Sequence, residues 1–169
     1  RIYAVGGVLS GGGTRVATVE EYDPIADAWT TKASMPTARS YMGVVAASNG
    51  RIYAMGGGTA SGILATVEEY DPAADNWTTK ASMPTPRSSH GLAVGSNGRI
   101  YAIGGSNSGG YVTTVDEYDP VANTWRTVVG SIPTARGNLG VAVAGNGKIY
   151  AFGGWNGVGY NPMTTNEEA

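Results

Sequence analysis

Three arginines occupy the same place in a repeated segment of this 169-residue chain. Each follows a proline-threonine pair and one further residue, and they are Arg39, Arg87 and Arg136. A planar guanidinium can hold a carboxylate through two parallel hydrogen bonds, so these side chains could bind acidic groups of a ligand. Equally, each could pair with a carboxylate of the chain and fix the local geometry. The candidates for that role are Glu20, Glu68 and Asp116.

Residues that differ between the repeats are the better candidates for recognising a specific ligand. Two positions after each arginine stand Tyr41, Ser89 and Asn138. Beyond two glycine doublets stand Asn107 and Trp155, and the counterparts of Trp155 in the other repeats are small. Drift of loop composition would give the same variety. The predicted ligand-binding set is Arg39, Tyr41, Arg87, Ser89, Asn107, Arg136, Asn138 and Trp155.

The residue types needed for catalysis or metal binding are sparse. The chain has no cysteine, which excludes thiol catalysis and cysteine–zinc sites, and it has a single histidine, His90. A lone histidine does not make a metal site, so we interpret His90 as structural or solvent-facing. No phosphate-binding, dinucleotide-binding or nucleophile-elbow motif is present. The sequence therefore predicts no catalytic residue, no metal site and no cofactor.

The charge balance and the hydrophobic pattern argue against two classes of partner. The net charge is −2 and 14% of the residues are charged, whereas nucleic-acid-binding domains carry a strong basic excess. No apolar run reaches the roughly 18 residues that a membrane-spanning helix needs. We therefore expect no nucleic-acid partner and no membrane span.

A sequence repeat with a period of roughly 50 residues must position these side chains. Its most regular part is an Ile-Tyr-Ala run that ends in a glycine doublet. This run occurs at residues 1–7, 51–57, 99–105 and 148–154. β-Branched and aromatic residues followed by Gly-Gly indicate a strand that ends where the backbone needs positive φ.

One complete period contains signals for four short antiparallel strands and none for a helix. Asn49-Gly50 predicts a type I′ hairpin turn between the first two strands. Asp71-Pro72 predicts the turn between the last two, and the prolines beside Arg87 exclude a helix or central strand in the connector. We predict strands at 41–48, 51–57, 66–71 and 76–80, with a strandless loop over 58–65.

Four features that recur in a fixed order resemble the Kelch repeat. They are the glycine doublet, a Tyr-Asp-Pro turn, a tryptophan soon after it and the Pro-x-Arg connector. The resemblance implies an all-β fold, a Kelch-type β-propeller in which each blade has four antiparallel strands. The chain, 1–169, would form one Kelch-repeat region of about three and a half blades. Its parts would be blade strands two to four at 1–34, full blades at 40–82 and 88–129, a partial blade at 137–154, and a loop or tail at 155–169.

The recurring tyrosines and tryptophans are predicted to form the core between blades, because a lone four-stranded sheet cannot bury both of its faces. Val67 and Tyr70 of the third strand would then be buried on opposite faces. The glycine doublets would let a neighbouring ring or backbone approach where a Cβ would collide. An open arc of blades leaves its outer faces bare. We therefore expect a longer chain, copies of this chain that complete a ring, or a compact four-bladed closure.

The resemblance implies a non-catalytic binding or scaffold module that presents propeller loops to a protein or glycan partner. In Kelch propellers, the connector between the fourth and first strands lies on the face where ligands commonly bind, and this is where the three arginines stand. Two alternatives stay open. One is a structural repeat that assembles into an extracellular ring or filament. The other is a sugar-active, mutarotase-like enzyme that is completed by blades outside this chain.

Two further expectations follow from the composition. The galactose oxidase route needs several histidines and a cysteine-linked tyrosine, and the chain has one histidine and no cysteine. Its surface residues, rich in Thr, Ser, Gly and Asn, resemble those of secreted Kelch proteins. We therefore expect an extracellular or cell-surface location.

Overall fold

The computed structural model describes residues 1–11, 13–157 and 166–168, and every regular element in them is a β-strand. All strand pairs are antiparallel, and the strands form four main sheets and two small hairpins. In chain order, the main sheets contain three, four, four and three described strands, and we call each sheet a blade. No described segment forms a helix that could cross a membrane.

The blades follow one another along the chain. Blade one contains β1 (Ile2–Val8), β2 (Arg15–Asp23) and β3 (Ala28–Lys32). Blade two contains β4 (Gly43–Ala46), β5 (Ile52–Met55), the small hairpin β6 (Gly58–Thr59) and β7 (Gly62–Ile63), then β8 (Val67–Asp71) and β9 (Asn76–Lys80). Blade three contains β10 (Gly91–Val94), β11 (Ile100–Ile103), the hairpin β12 (Ser106–Asn107) and β13 (Gly110–Tyr111), then β14 (Thr114–Asp119) and β15 (Thr124–Ser131).

Blade four contains β16 (Gly140–Val143), β17 (Ile149–Phe152) and β18 (Asn166–Glu168). The last strand pairs with β17, and Asn166 lies opposite Phe152. A paired strand therefore lies within the segment 155–169, which was predicted to be a loop or tail. Residues 158–165 and 169 of that segment lie outside the described part of the chain.

The loop between the second and third strands is more regular than the sequence predicted. In blade two, Gly58 pairs with Ile63 and Thr59 with Gly62. Ser106 pairs with Tyr111 in the same way in blade three. The prediction of a strandless loop over 58–65 is therefore wrong. Two-residue strands are too short to show the alternation of apolar and polar residues on which strand prediction depends.

The Asn-Gly turns differ from the predicted type I′ geometry. Only the glycine of the pair has positive φ, +79° at Gly50. Gly50 N–H donates to Ala47 O at 3.1 Å, and Ala47 N–H donates to Arg51 O at 2.9 Å. This pattern is a type I turn followed by a left-handed glycine, which forms a G1 bulge. Asn49 stabilises the turn because its Oδ1 accepts the Arg51 N–H at 3.0 Å.

Adjacent blades bury each other's faces. The core between blades two and three joins Tyr53 and Val67 to Ile100 and Tyr118, and the Tyr53 and Tyr118 rings lie edge to face with centroids 5.8 Å apart. Similar cores lie between blades three and four and between blades one and two. Val67 and Tyr70 are both fully buried. The predicted aromatic core between blades is confirmed.

In blades two and three, a side chain of the turn between the third and fourth strands and a tryptophan of the fourth strand hold the preceding blade. Trp77 Nε1 donates to Ala33 O at 2.9 Å, and Asp75 Oδ1 accepts the Ala33 N–H at 2.9 Å. We call this arrangement the tryptophan clamp. Blade three repeats it on blade two, with Trp125, Asn123 and Ala81 in the same roles.

The glycine doublets allow the connectors to lie against the blades. Gly57 has a φ of +91°, and a Cβ built on it would lie 2.7 Å from Ser40 O. A Cβ on Gly56 would lie 2.3 Å from Arg87 O, and Gly57 N–H donates to that same carbonyl at 2.9 Å. The predicted close approach is confirmed, and the nearest neighbour is connector backbone rather than an aromatic ring.

Candidate functional site

The connectors and the loops between second and third strands lie at one end of the blades, which we call the connector face. In an antiparallel blade, the connector enters the first strand at the end where the second strand leaves. Short bridges join the two groups, and they link Ser40 to Gly58, Ser88 to Ser106 and Gly137 to Trp155. The connector face comprises connectors 33–42, 81–90 and 132–139, and loop residues 9–11, 13–14, 58–66, 106–113 and 155–157.

Three residues of the predicted set form a hydrogen-bonded ladder across the blades. Ser89 N–H donates to Tyr41 O at 2.7 Å, and Asn138 N–H donates to Ser89 O at 2.8 Å. All three have left-handed backbones, with φ of 56°, 55° and 52° in chain order, which is uncommon outside glycine. The Tyr41 side chain is 63% exposed. This connector ladder gives each blade the same backbone and a different side chain.

The three predicted arginines lie inside the blades. Arg39 Nη2 lies 3.0 Å from Glu68 Oε2 and also donates to Ala54 O at 2.9 Å. Arg87 forms an ion pair with Asp116. Both guanidiniums are almost fully buried. Of the three carboxylates that the sequence offered, Glu68 and Asp116 are therefore paired, and Glu20 is exposed on β2.

The buried guanidiniums also bind strand-end carbonyls. Arg87 Nη1 donates to Thr114 O at 3.1 Å, and Arg136, which is fully buried, donates from Nη1 to Gly153 O at 2.9 Å. Burial lowers the pKa of Arg39 and Arg87, and the neighbouring carboxylates oppose this shift. The arginines thus hold each blade to its connector. A role in contacting ligand stays a prediction.

The other predicted residues lie in the loops of the connector face. Asn107 is half-buried in β12, and its Oδ1 accepts the Gly109 N–H at 2.8 Å. Trp155 is 38% exposed, and its ring lies edge to face with Tyr111 at a centroid distance of 5.8 Å. Sequence reasoning missed Tyr111, although its signal was an aromatic residue in a hairpin of small residues. A Cβ on Gly137 would lie 2.8 Å from the Tyr111 ring.

A shallow cavity of about 340 Å³ opens among these loops, between blades two and three. Sequence reasoning did not identify it, because its lining comes from three segments that are distant in sequence. The lining residues are Gly62, Ile63, Thr85, Pro86, Asn107 and Ser108. Its size lies at the low end of about 300–1,000 Å³ for small-molecule sites.

His90 is buried between blades two and three, with 7% of its surface exposed. Of the two interpretations that the sequence allowed, the structural one describes it. Both ring nitrogens are buried without a hydrogen-bond partner. Burial, and then the charge of Arg87, lowers the pKa of His90 to about 3. The corresponding residues after the other arginines are apolar, Met42 and Leu139.

Within residues 1–11, 13–157 and 166–168, no group of three or more His, Asp or Glu side chains converges in a way that could hold a metal ion. A family model described as the KLHDC2/KLHL20/DRC7 Kelch-repeats domain matches residues 1–165. The match and the four antiparallel sheets confirm the resemblance and the all-β, Kelch-type fold that the sequence predicted.

Proposed function

Because the chain belongs to the Kelch-repeat family, we propose that it is a non-catalytic binding module that presents its connector face to a protein or glycan partner. Kelch-repeat domains are generally protein-binding scaffolds. The observation that supports this site is the connector ladder, in which Tyr41, Ser89 and Asn138 share one backbone geometry. A fixed scaffold that varies only in its side chains is suited to specific recognition.

The buried ion pairs argue against the mutarotase-like alternative at this face. A catalytic arginine and carboxylate must touch the substrate, but the side chains of Arg39 and Glu68 are 0% and 2% exposed. The pair of Arg87 and Asp116 is equally enclosed, at 1% each. These groups support the blade rather than a reaction. An extracellular or cell-surface location is part of the proposal, and the location of the tagged full-length gene product tests it.

A screen of the purified chain against a random-peptide display library and a glycan array tests the proposed function. Tyr41→Ala should weaken a captured ligand at least tenfold. Val121→Ala is the matched control, because Val121 is 95% exposed at the opposite end of the blades. A ligand that is weakened by the control, and not by Tyr41→Ala or Asn138→Ala, would place binding elsewhere and refute the proposal.

Self-association is a second candidate function, and the outer face of blade one favours it. Trp29 is 56% exposed, whereas its counterparts Trp77 and Trp125 each bind a carbonyl of the preceding blade. An exposed indole at the position that is covered by the preceding blade in blades two and three favours a partner for this face. Light scattering on the 17.3 kDa chain should then show a species that Trp29→Arg dissociates. A monomer at all concentrations would exclude self-association.

A further inference from the structure

The segments that form the connector face carry few charged residues, although Arg15 borders the face in blade one, where its Nη1 donates to Gly13 O at 3.5 Å. At the opposite end of the blades, Arg99 Nη1 pairs with Asp119 Oδ2 at 2.6 Å, and Arg51 pairs with Asp71. No Asp, Glu or Lys occurs in the segments that form this face. These segments are the connectors 33–42, 81–90 and 132–139 and the loop residues 9–11, 13–14, 58–66, 106–113 and 155–157. Their only arginines are the three buried ones. The connector face therefore presents hydroxyls, amides and rings, but no exposed charge from these segments.

Two of the three buried arginines, Arg39 and Arg87, do not give this face a long-range attraction for acidic ligands. The Arg39 and Arg87 charges are each matched by a carboxylate inside the same blade. Lys80, which ends β9 just before a connector, pairs with Glu69 at 3.2 Å. Charge complementarity determines which partners a surface steers toward itself. A surface with matched internal charges favours an uncharged ligand.

Two aromatic side chains are presented on this neutral face. Tyr41 projects from the left-handed backbone of the connector ladder and is 63% exposed. Trp155 is 38% exposed and is braced by Tyr111. Gly157 adds to this support, because a Cβ there would lie 3.1 Å from the Tyr111 ring. Aromatic rings of this kind offer an apolar surface with a polar edge, which suits the C–H face of a pyranose ring.

The polar side chains of the connector face can both donate and accept hydrogen bonds. A sugar hydroxyl does the same, so amides and hydroxyls complement it without any charge. Asn107 contributes to the cavity of about 340 Å³, and its Oδ1 is engaged by Gly109 N–H, which leaves its NH₂ group to donate. Asn138 is exposed at the end of the ladder.

We infer that the connector face binds an uncharged glycan, with a sugar ring stacked on Tyr41 or Trp155 and its hydroxyls bound by neighbouring amide and hydroxyl groups. This inference rests on the proposed function, since it names the ligand class of the same face. A peptide ligand is the competing outcome. Arginine is a frequent anchor of protein interfaces, and the only arginines within the connectors and described loops are the three buried ones, which disfavours it.

Affinity gel electrophoresis with soluble polysaccharides tests this inference. The neutral probes are xylan, galactomannan, starch and a β-1,3-glucan, and the charged probes are alginate and heparin. We expect at least one neutral probe to retard the wild-type chain in low salt and in 1 M NaCl. Tyr41→Ala or Trp155→Ala should weaken this retardation at least tenfold, and Val121→Ala should leave it unchanged. Circular dichroism shows whether each variant is folded. If Trp155→Ala does not fold, Tyr41→Ala alone tests the inference.

The outcomes separate the inference from the proposed function. Retardation only by alginate or heparin, loss of neutral binding in 1 M NaCl, or no retardation by any neutral probe would overturn the inference. If a peptide from the display library then binds and Tyr41→Ala weakens it, the proposed function stands and the glycan assignment fails. If neither peptide nor glycan binding responds to Tyr41→Ala, both fail.

Discussion

Replacing His90 with leucine should stabilise the protein and remove most of its loss of stability between pH 7 and pH 5. The imidazole is buried between blades two and three, and its counterparts in the other repeats are the apolar Met42 and Leu139. Both ring nitrogens are buried without a partner. A buried unsatisfied polar group costs about 1–3 kcal/mol, so an apolar side chain of similar size should raise the free energy of unfolding at pH 7 by roughly 1 kcal/mol or more.

The pH dependence follows from the two pKa values of His90. The pKa is about 3 in the folded chain and about 6.5 in an unfolded one. At pH 7 the imidazole is mostly neutral in both the folded and the unfolded chain. Between pH 6.5 and pH 3, only the imidazole of the unfolded chain takes up a proton. Stability should therefore fall by about 1.4 kcal/mol per pH unit between pH 6.5 and pH 3. From pH 7 to pH 5 this single group should cost the wild type about 2 kcal/mol.

Urea unfolding followed by tryptophan fluorescence at pH 7 and pH 5 measures this difference. The free energy of unfolding of His90→Leu minus that of the wild type should grow by about 2 kcal/mol between the two pH values, because the other titrating groups cancel. His90→Met is the matched second variant, and Met42→His should introduce a similar dependence in blade two. A difference that stays constant between pH 7 and pH 5 would refute the reasoning.

Three further predictions concern the contacts that hold the blades. Glu68→Gln should lower the free energy of unfolding, measured in urea, by about 3–5 kcal/mol, because it leaves a buried guanidinium without its counter-charge. A loss below about 1 kcal/mol would show that the ion pair is solvated. Trp77→Phe should lower the free energy of unfolding by about 1 kcal/mol, because the indole hydrogen bond is lost. Trp29→Phe should lower it little. Equal losses of stability in thermal melts would contradict the tryptophan clamp. Gly57→Ala should lower the free energy of unfolding by more than about 1 kcal/mol, because its backbone has positive φ and a Cβ there would lie 2.7 Å from Ser40 O. Gly145→Ala, with nothing within 4 Å, should be nearly neutral, and the reverse order in thermal melts would contradict both reasons.

The repeat made the blades predictable, because each strand signal recurs in register and confirms the others. β9 lies at Asn76–Lys80, as predicted, since its bounds are set by a turn on one side and a connector on the other. The hairpin of β6 and β7 escaped prediction because its pairing depends on backbone hydrogen bonds rather than on side-chain alternation. The Asn49-Gly50 turn was located correctly but given the wrong type, since the same dipeptide also suits a G1 bulge.

The candidate site was less predictable than the blades. The recurrence of Arg39 identified an important side chain, but spacing along the chain does not show whether a guanidinium points to solvent or to Glu68. Burial of His90 could have been anticipated from the apolar Met42 at the same place in the preceding repeat. The exposure of Tyr41 depends on a left-handed backbone, which the sequence does not predict because tyrosine rarely adopts this conformation.

The tryptophan clamp has a direction along the polypeptide. In both described clamps the indole lies 44 residues after the carbonyl that it binds, so each blade is fastened by side chains that the ribosome delivers later. At about 5–20 residues per second this delay is roughly 2–9 seconds. During that interval the most recently synthesised blade can form its own sheet but lacks the hydrogen bonds of the tryptophan clamp. Chaperones or proteases would encounter the blade in this state. A rare-codon pause just after a connector would lengthen that exposure.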